Sequence, residues 1–304
     1  MNPINRIVLP ALGVALTLGT AGAQGPGTDI YVMPLNERAS GVGEPRNLTS
    51  RAGYDNQPYF TPDGQAIMYT SIREDDQADI WRVSLDGGPP RRLTETPESE
   101  YSATPTPDGE RFVTVRVEAD STQRLWSFHR NGGDTAELLV PDLAPVGYFA
   151  FVRPNEVVTF VLGSPPTLQV TATGAGQTAR VVAADVGRSI HAIPGPTGRV
   201  SYVQKGDDGW WITGVRLGGD ADSDSLWRIA PTLPNTEDYV WAGNDILLMA
   251  RGSEIYRWRV GRDTEWGVIA DLSEFGIAGI TRLAVSPDGR TLAVVARDEG
   301  AGGR

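Results

Sequence analysis

Gln57-Pro58-Tyr59-Phe60-Thr61-Pro62-Asp63-Gly64-Gln65-Ala66-Ile67-Met68-Tyr69-Thr70 reads as two short strands joined by a tight turn. Proline presets φ at the first turn position, aspartate bonds back to the local backbone, and glycine supplies the positive φ that closes a hairpin. The turn recurs as Pro107-Asp108-Gly109 and Pro287-Asp288-Gly289, with weaker copies at Pro154-Asn155 and Pro196-Thr197-Gly198. The first two copies lie 45 residues apart, and the first and last are separated by 225, five times that spacing. A fixed period near 45 marks one supersecondary unit repeated about six times.

Working outward from the first hairpin, a polar loop over 72–78 leads to a third strand, Asp79-Ile80-Trp81-Arg82-Val83-Ser84-Leu85. Asp86-Gly87-Gly88 turns the chain again, and Arg91-Arg92-Leu93-Thr94 makes a short fourth strand, so each unit holds four antiparallel strands. The third strand gives a second marker of the period. Ile80-Trp81, Leu125-Trp126, Leu168-Gln169, Trp211-Ile212 and Ile255-Tyr256 are spaced by 45, 43, 43 and 44 residues. A recurring aromatic there would suit carbohydrate stacking, but packing between neighbouring sheets is the plainer account.

Six hairpins fall near 57–70, 101–117, 148–162, 190–203, 239–250 and 281–297, and the sixth lacks outer strands of its own. Those strands stand at the other end of the chain. Asp29-Ile30-Tyr31-Val32 copies Asp79-Ile80-Trp81-Arg82, and Arg46-Asn47-Leu48-Thr49 copies Arg91-Arg92-Leu93-Thr94. The expected fold is therefore all-β, a six-bladed β-propeller closed by N-terminal strands that complete the last blade and remove open sheet edges. The same copying accounts for Asn47-Leu48-Thr49, which otherwise matches a glycosylation acceptor.

Composition excludes several kinds of chemistry. With no Cys and only His129 and His191 among 304 residues, disulfides, thiolate nucleophiles and imidazole-rich metal sites are out of reach, and no cofactor is expected. The formal charge of −11 argues against nucleic acid and anionic membrane surfaces. Residues 1–23 have the form of an export signal: Arg6, an apolar run from Ile7 to Leu18, and Ala21-Gly22-Ala23 before the cut. The expected organisation is a signal peptide over 1–23, one propeller over 24–299 and a disordered tail over 300–304. Removal of Arg6 with the signal leaves a formal charge of −12 on a soluble periplasmic or secreted monomer, with no membrane insertion.

A Pro-Asp-Gly hairpin, then Asp-Ile-Trp or Asp-Ile-Tyr, then a closing Arg-Leu-Thr or Asn-Leu-Thr resembles the WD40-like repeats of TolB-type six-bladed β-propellers. Prolyl oligopeptidase-type peptidases carry similar propellers. The resemblance spans 29–299, strongest in blades one, two and six. It implies a cell-envelope binding role and a protein partner such as a peptidoglycan-associated lipoprotein. TolB places a small α/β domain before its propeller, whereas about 30 residues separate the cleavage site from blade one here. The peptidases append a hydrolase domain with a Gly-x-Ser-x-Gly elbow, which this sequence lacks. A propeller alone is expected, and the fold by itself names no function.

Propellers bind where loops enter the innermost strands, and hairpin register places Asn56, Tyr101, Tyr148, Ile190, Asp238 and Thr281 there. Asp55, Glu98, Glu100, His191, Glu237, Tyr239 and Arg282 stand beside them. Such an acidic and aromatic rim would suit a cationic or polyhydroxylated group, or a peptide carrying Lys or Arg. The leading expectation is a non-enzymatic scaffold for an envelope protein. A metal-dependent lactonase, hydrolase or lyase would need carboxylates from several blades on one ion, and a glycan or small-molecule sensor would need Tyr101, Tyr148 and Tyr239 around one pocket. Asp220-Ala221-Asp222-Ser223-Asp224 imitates the opening of a calcium loop but lacks its glycine and its final glutamate. Ser189, His191 and Asp185 suggest a nucleophile and base, although neighbours on one strand rarely make a triad.

Overall fold

A computed structural model describes residues 27–297, and the export signal and the tail expected at the two ends lie outside them. Within this span the chain forms strands grouped as six four-stranded antiparallel sheets. Blade I comprises Tyr54–Phe60, Ala66–Ile72, Ala78–Ser84 and Arg91–Arg92 from the inner strand outward. The inner strands of blades II to VI are Ser99–Pro105, Val146–Arg153, Val186–Ala192, Tyr239–Trp241 and Arg282–Val285. Blade VI is completed by the N-terminus: Thr28–Pro34 pairs along its full length with Thr291–Arg297, from Thr28 opposite Arg297 to Pro34 opposite Thr291. Arg46–Asn47 adds the outermost strand, and a single parallel bridge from Thr28 to Tyr54 ties blade VI to blade I.

The turns that mark the period share one local network. Thr61 Oγ1 donates to Asp63 Oδ1 at 2.6 Å, the same oxygen accepts from Gln65 N at 3.0 Å, and Gly64 has φ +69°. Thr106 and Asp108, and Ser286 and Asp288, repeat the bond at 2.6 Å. The working motif is thus Thr/Ser-Pro-Asp-Gly, and these bonds hold the carboxyls of Asp63 and Asp288 below the usual range.

The Asp-Ile and Leu-Thr pieces are two halves of another contact. Asp79, at the start of a third strand, accepts from Thr94 Oγ1 at 3.4 Å and pairs with Arg92 Nη2 at 2.7 Å on the fourth. Asp29 likewise accepts from Thr49 Oγ1 at 2.9 Å and Asn47 Nδ2 at 2.7 Å. Asn47 spends its amide inside the blade, as the repeat implies.

Apolar side chains gather into six clusters, each between two adjacent blades; Ile30, Ile67 and Val295 join VI to I, and Val158, Leu168 and Val200 join III to IV. Ile80, Leu125, Leu168, Ile212 and Ile255 are fully buried at matching strand positions. In blade IV the position after this apolar residue is Thr213, and Trp211 precedes it, so the sequence pairing there is displaced by one residue. Trp81 and Trp126 pack against these inter-blade clusters.

Candidate functional site

The inner strands surround a central cavity of about 460 Å³, walled by Tyr59, Phe149, Phe151, His191, Tyr239, Trp241 and Leu283. At one end every blade contributes a polar side chain. Tyr54, Tyr101 and Tyr148 come from blades I to III, and Arg188, Asp238 and Arg282 from blades IV to VI. Arg188 Nη2 pairs with Asp238 Oδ2 at 2.6 Å, while Arg282 Nη1 reaches Asp238 Oδ1 at 2.5 Å. Arg282 Nη2 also donates to Tyr148 Oη at 2.8 Å, and its guanidinium carbon lies 5.1 Å from the Tyr148 ring centre. Tyr54 sits close enough to Arg282, Tyr148, Tyr101 and Arg188 to feel their charges, and burial pushes its phenol up to about 12.

Glu237 accepts from the Arg188 backbone N–H at 3.1 Å and pairs with Lys205 Nζ at 3.1 Å. Gly187 makes room for this, because a Cβ there would collide with the Glu237 carboxylate and with Val203. Lys205, in turn, lies 4.4 Å from the Trp210 ring centre. The cluster therefore sets three cations, Arg188, Arg282 and Lys205, against two carboxylates.

Deeper in the channel, His191 packs edge-on against Tyr239 with ring centres 4.8 Å apart. Burial lowers its imidazole to about 4, against the opposing pull of Asp238, so it is neutral near pH 7. Ser189 Oγ lies 3.2 Å from His191 Nε2 and accepts from Tyr239 N at 3.4 Å. Residues two apart on a strand share a face, which is why this serine and histidine meet despite the sequence-based objection. Asp185 precedes the strand, and its carbonyl accepts from Lys205 N. Ser201 Oγ accepts from Tyr239 Oη at 2.8 Å and from Trp241 Nε1 at 2.9 Å, binding blade IV to blade V beneath the site.

Of the residues expected at the rim, Tyr148, Ile190, His191, Asp238, Tyr239 and Arg282 line the cavity. Tyr101 stands beside Tyr54 at its mouth. The structure does not bring Asp55, Glu98 and Glu100 to the cavity. Asp55 is wholly buried inside blade I, accepting from Ser71 Oγ at 2.6 Å and pairing with Arg51 at 3.1 Å. Glu100 is wholly buried in blade II, bonded to Thr96 and to Arg116 Nε, and burial raises its carboxyl to about 6. Glu98 Oε2 faces Arg116 at 3.9 Å, and Asn56 folds back on its own strand through Gln57 N at 2.7 Å. These side chains are held by partners within their own blades, so the acids at the mouth are Asp238 and Glu237, each paired with a cation.

Arg188 and Tyr54 were not anticipated. The inner strand of blade IV shifts register between Val186 and Ile190, and that of blade I between Asn56 and Tyr59 where Gln57 has φ +54°. Counting seven residues back from the turn reaches Asn56 and Ile190 and so stops two residues short of Tyr54 and Arg188. Among the described residues no three acidic or imidazole side chains come together as metal ligands. The Asp220 to Asp224 run disperses: Asp220 caps a short turn through Ser223 N at 2.9 Å, and Asp224 pairs with Arg180 at 2.6 Å.

Among the described residues, twenty-four strands in six radial sheets around a walled channel define a β-propeller. In fold it is a TolB-like one. A TolB candidate from Agrobacterium tumefaciens superposes with a TM-score of 0.67 at 15% identity, over 89% of this chain and 99% of that one. TolB from Acinetobacter baumannii gives 0.54 at 12% identity, over 90% of this chain and 64% of its own. The propeller domain of the Trilobed protease from Pyrococcus furiosus, described as having an open velcro topology, gives 0.50 at 13% identity over 86% of this chain and 87% of that one. No family model and no curated protein matches the sequence. No helix among the described residues is long and apolar enough to cross a membrane.

Proposed function

We propose that this chain is a non-enzymatic binding protein of the cell envelope, acting in the periplasm or after secretion and holding a protein partner at the mouth of its channel. The observation that supports this reading is the link Tyr148–Arg282–Asp238–Arg188, which joins four blades at the open end of the cavity. Side chains fixed to one another across separate sheets present a preorganised surface, and ordering it costs little when a partner binds. The likeness in fold to TolB structures agrees with such a role.

The test is capture of envelope proteins by the wild type and by mouth variants. Tyr148→Ala and Arg282→Gln are expected to lose a captured partner by tenfold or more, on the order of one hot-spot contact each. Arg130→Gln, in an exposed pair with Glu110 away from the channel, should leave capture unchanged. A partner retained equally by all three variants would place binding elsewhere and remove the reading.

A further inference from the structure

The channel mouth is a cationic island in an acidic chain. Arg188 and Arg282 share the carboxylate of Asp238, and Glu237 pairs with Lys205 and, at 3.8 Å, with Arg188, so the three cations of this cluster exceed its two carboxylates by one positive charge. The Arg188 side chain keeps 38% of its surface exposed. Guanidinium N–H groups are arranged to take carboxylate oxygens in pairs, and Asp238 already does so from inside the ring. Directly below lies the 460 Å³ cavity, with Phe149, Phe151, Tyr239, Trp241, Val240 and Leu283 on its walls. Charge stands at the opening and aromatic surface behind it.

We infer that the channel binds a carboxylate carried on an aromatic or aliphatic body, the carboxylate joining Asp238 between Arg188 and Arg282 while the body enters the cavity. This rests on the channel-mouth reading above and names the group it recognises. Burying the apolar body against the cavity's aromatic walls supplies a driving force beside the charge contact. The neutral His191 and the Ser189 hydroxyl at the wall add no charge that would oppose an anion. The chemistry has two sources, a free small acid or the C-terminal carboxylate of a protein.

Isothermal titration with 3-phenylpropanoate and with 3-phenylpropanamide separates charge from shape, since the two share a body. The acid is expected to bind, with the amide at least tenfold weaker. Arg282→Gln and Arg188→Gln should each weaken the acid about tenfold, whereas Arg228→Gln, in an exposed pair with Asp208, should not. Asp238→Asn removes the competing carboxylate and should tighten the acid severalfold, a gain that a misfolded variant cannot mimic. Equal binding of acid and amide, no binding of either, or indifference to both arginine substitutions overturns the inference.

A Gly-Gly-Phe peptide with a free carboxylate, tested against its amidated form, distinguishes the sources: tighter binding than the small acid, lost on amidation, points to a protein terminus. If no acid binds while mouth variants still lose the envelope partner, the carboxylate falls and the channel reading stands. If acids bind through the arginines while partner capture ignores the variants, the partner reading falls and the carboxylate site stands.

Discussion

Ser201 has an outsized part for a small side chain, because one hydroxyl accepts from both Tyr239 Oη and Trp241 Nε1 in a fully buried setting. Ser201→Ala leaves two buried donors without an acceptor and is expected to cost about 2–4 kcal/mol, read from urea unfolding midpoints. His191 gives a pH signature. Its imidazole titrates near 4 when folded and near 6.5 when free, so between those values the unfolded chain binds the extra proton and stability falls as pH drops from 6.5 to 4. The full shift corresponds to at most about 3 kcal/mol. Glu100 acts in the opposite sense, since its carboxyl is raised from 4.5 to about 6 and its contribution declines as pH rises through that window. The two overlap, so the check is a difference: His191→Gln should flatten the acid side of the stability curve relative to wild type, measured by urea unfolding from pH 4 to 7.

At the scale of the element, the third and fourth strands of a blade are joined by an aspartate that also starts the sequence motif. Asp79→Ala strands Arg92 and Thr94 within blade I and should cost about 2–4 kcal/mol, and Asp29→Ala should do the same in blade VI. Differential unfolding of both variants against wild type checks this, a loss being expected in each although Asp79 faces an arginine and Asp29 the neutral donors Asn47 and Thr49. Such repeated contacts are what made the blades legible: Pro-Asp-Gly, Asp-Ile and Leu-Thr are each required by a local bond, so they survive in the letters. Tyr148, Asp238 and Arg282 could be placed because each lies at or beside the position seven residues before its turn. Arg188 and Tyr54 were missed because each lies two residues farther from its turn than that position, beyond a register shift in the inner strand. The acids Asp55 and Glu100 show the converse limit, because a chain position near the mouth does not say which face of the strand a side chain takes.

For the whole molecule, the six inter-blade clusters mean that each blade is stabilised mainly by its two neighbours, and the ring carries this around without an end. Deleting residues 27–35 removes the strand paired with Thr291–Arg297 and opens an edge there. The expected outcome is self-association seen by size-exclusion chromatography, together with a lower unfolding temperature. Closure was readable because the first strands copy the blade motif. The charge of the channel was not readable, because it depends on which arginines from the two flanking blades meet one carboxylate. The same pairing of Thr28–Pro34 with Thr291–Arg297 bears on how the protein is made. Until Thr291–Arg297 is made, Thr28–Pro34 has no antiparallel partner on that side and blade VI stays incomplete. The unpaired side of Thr28–Pro34 is until then an adhesive edge, of the kind that proteases and chaperones recognise in incomplete folds.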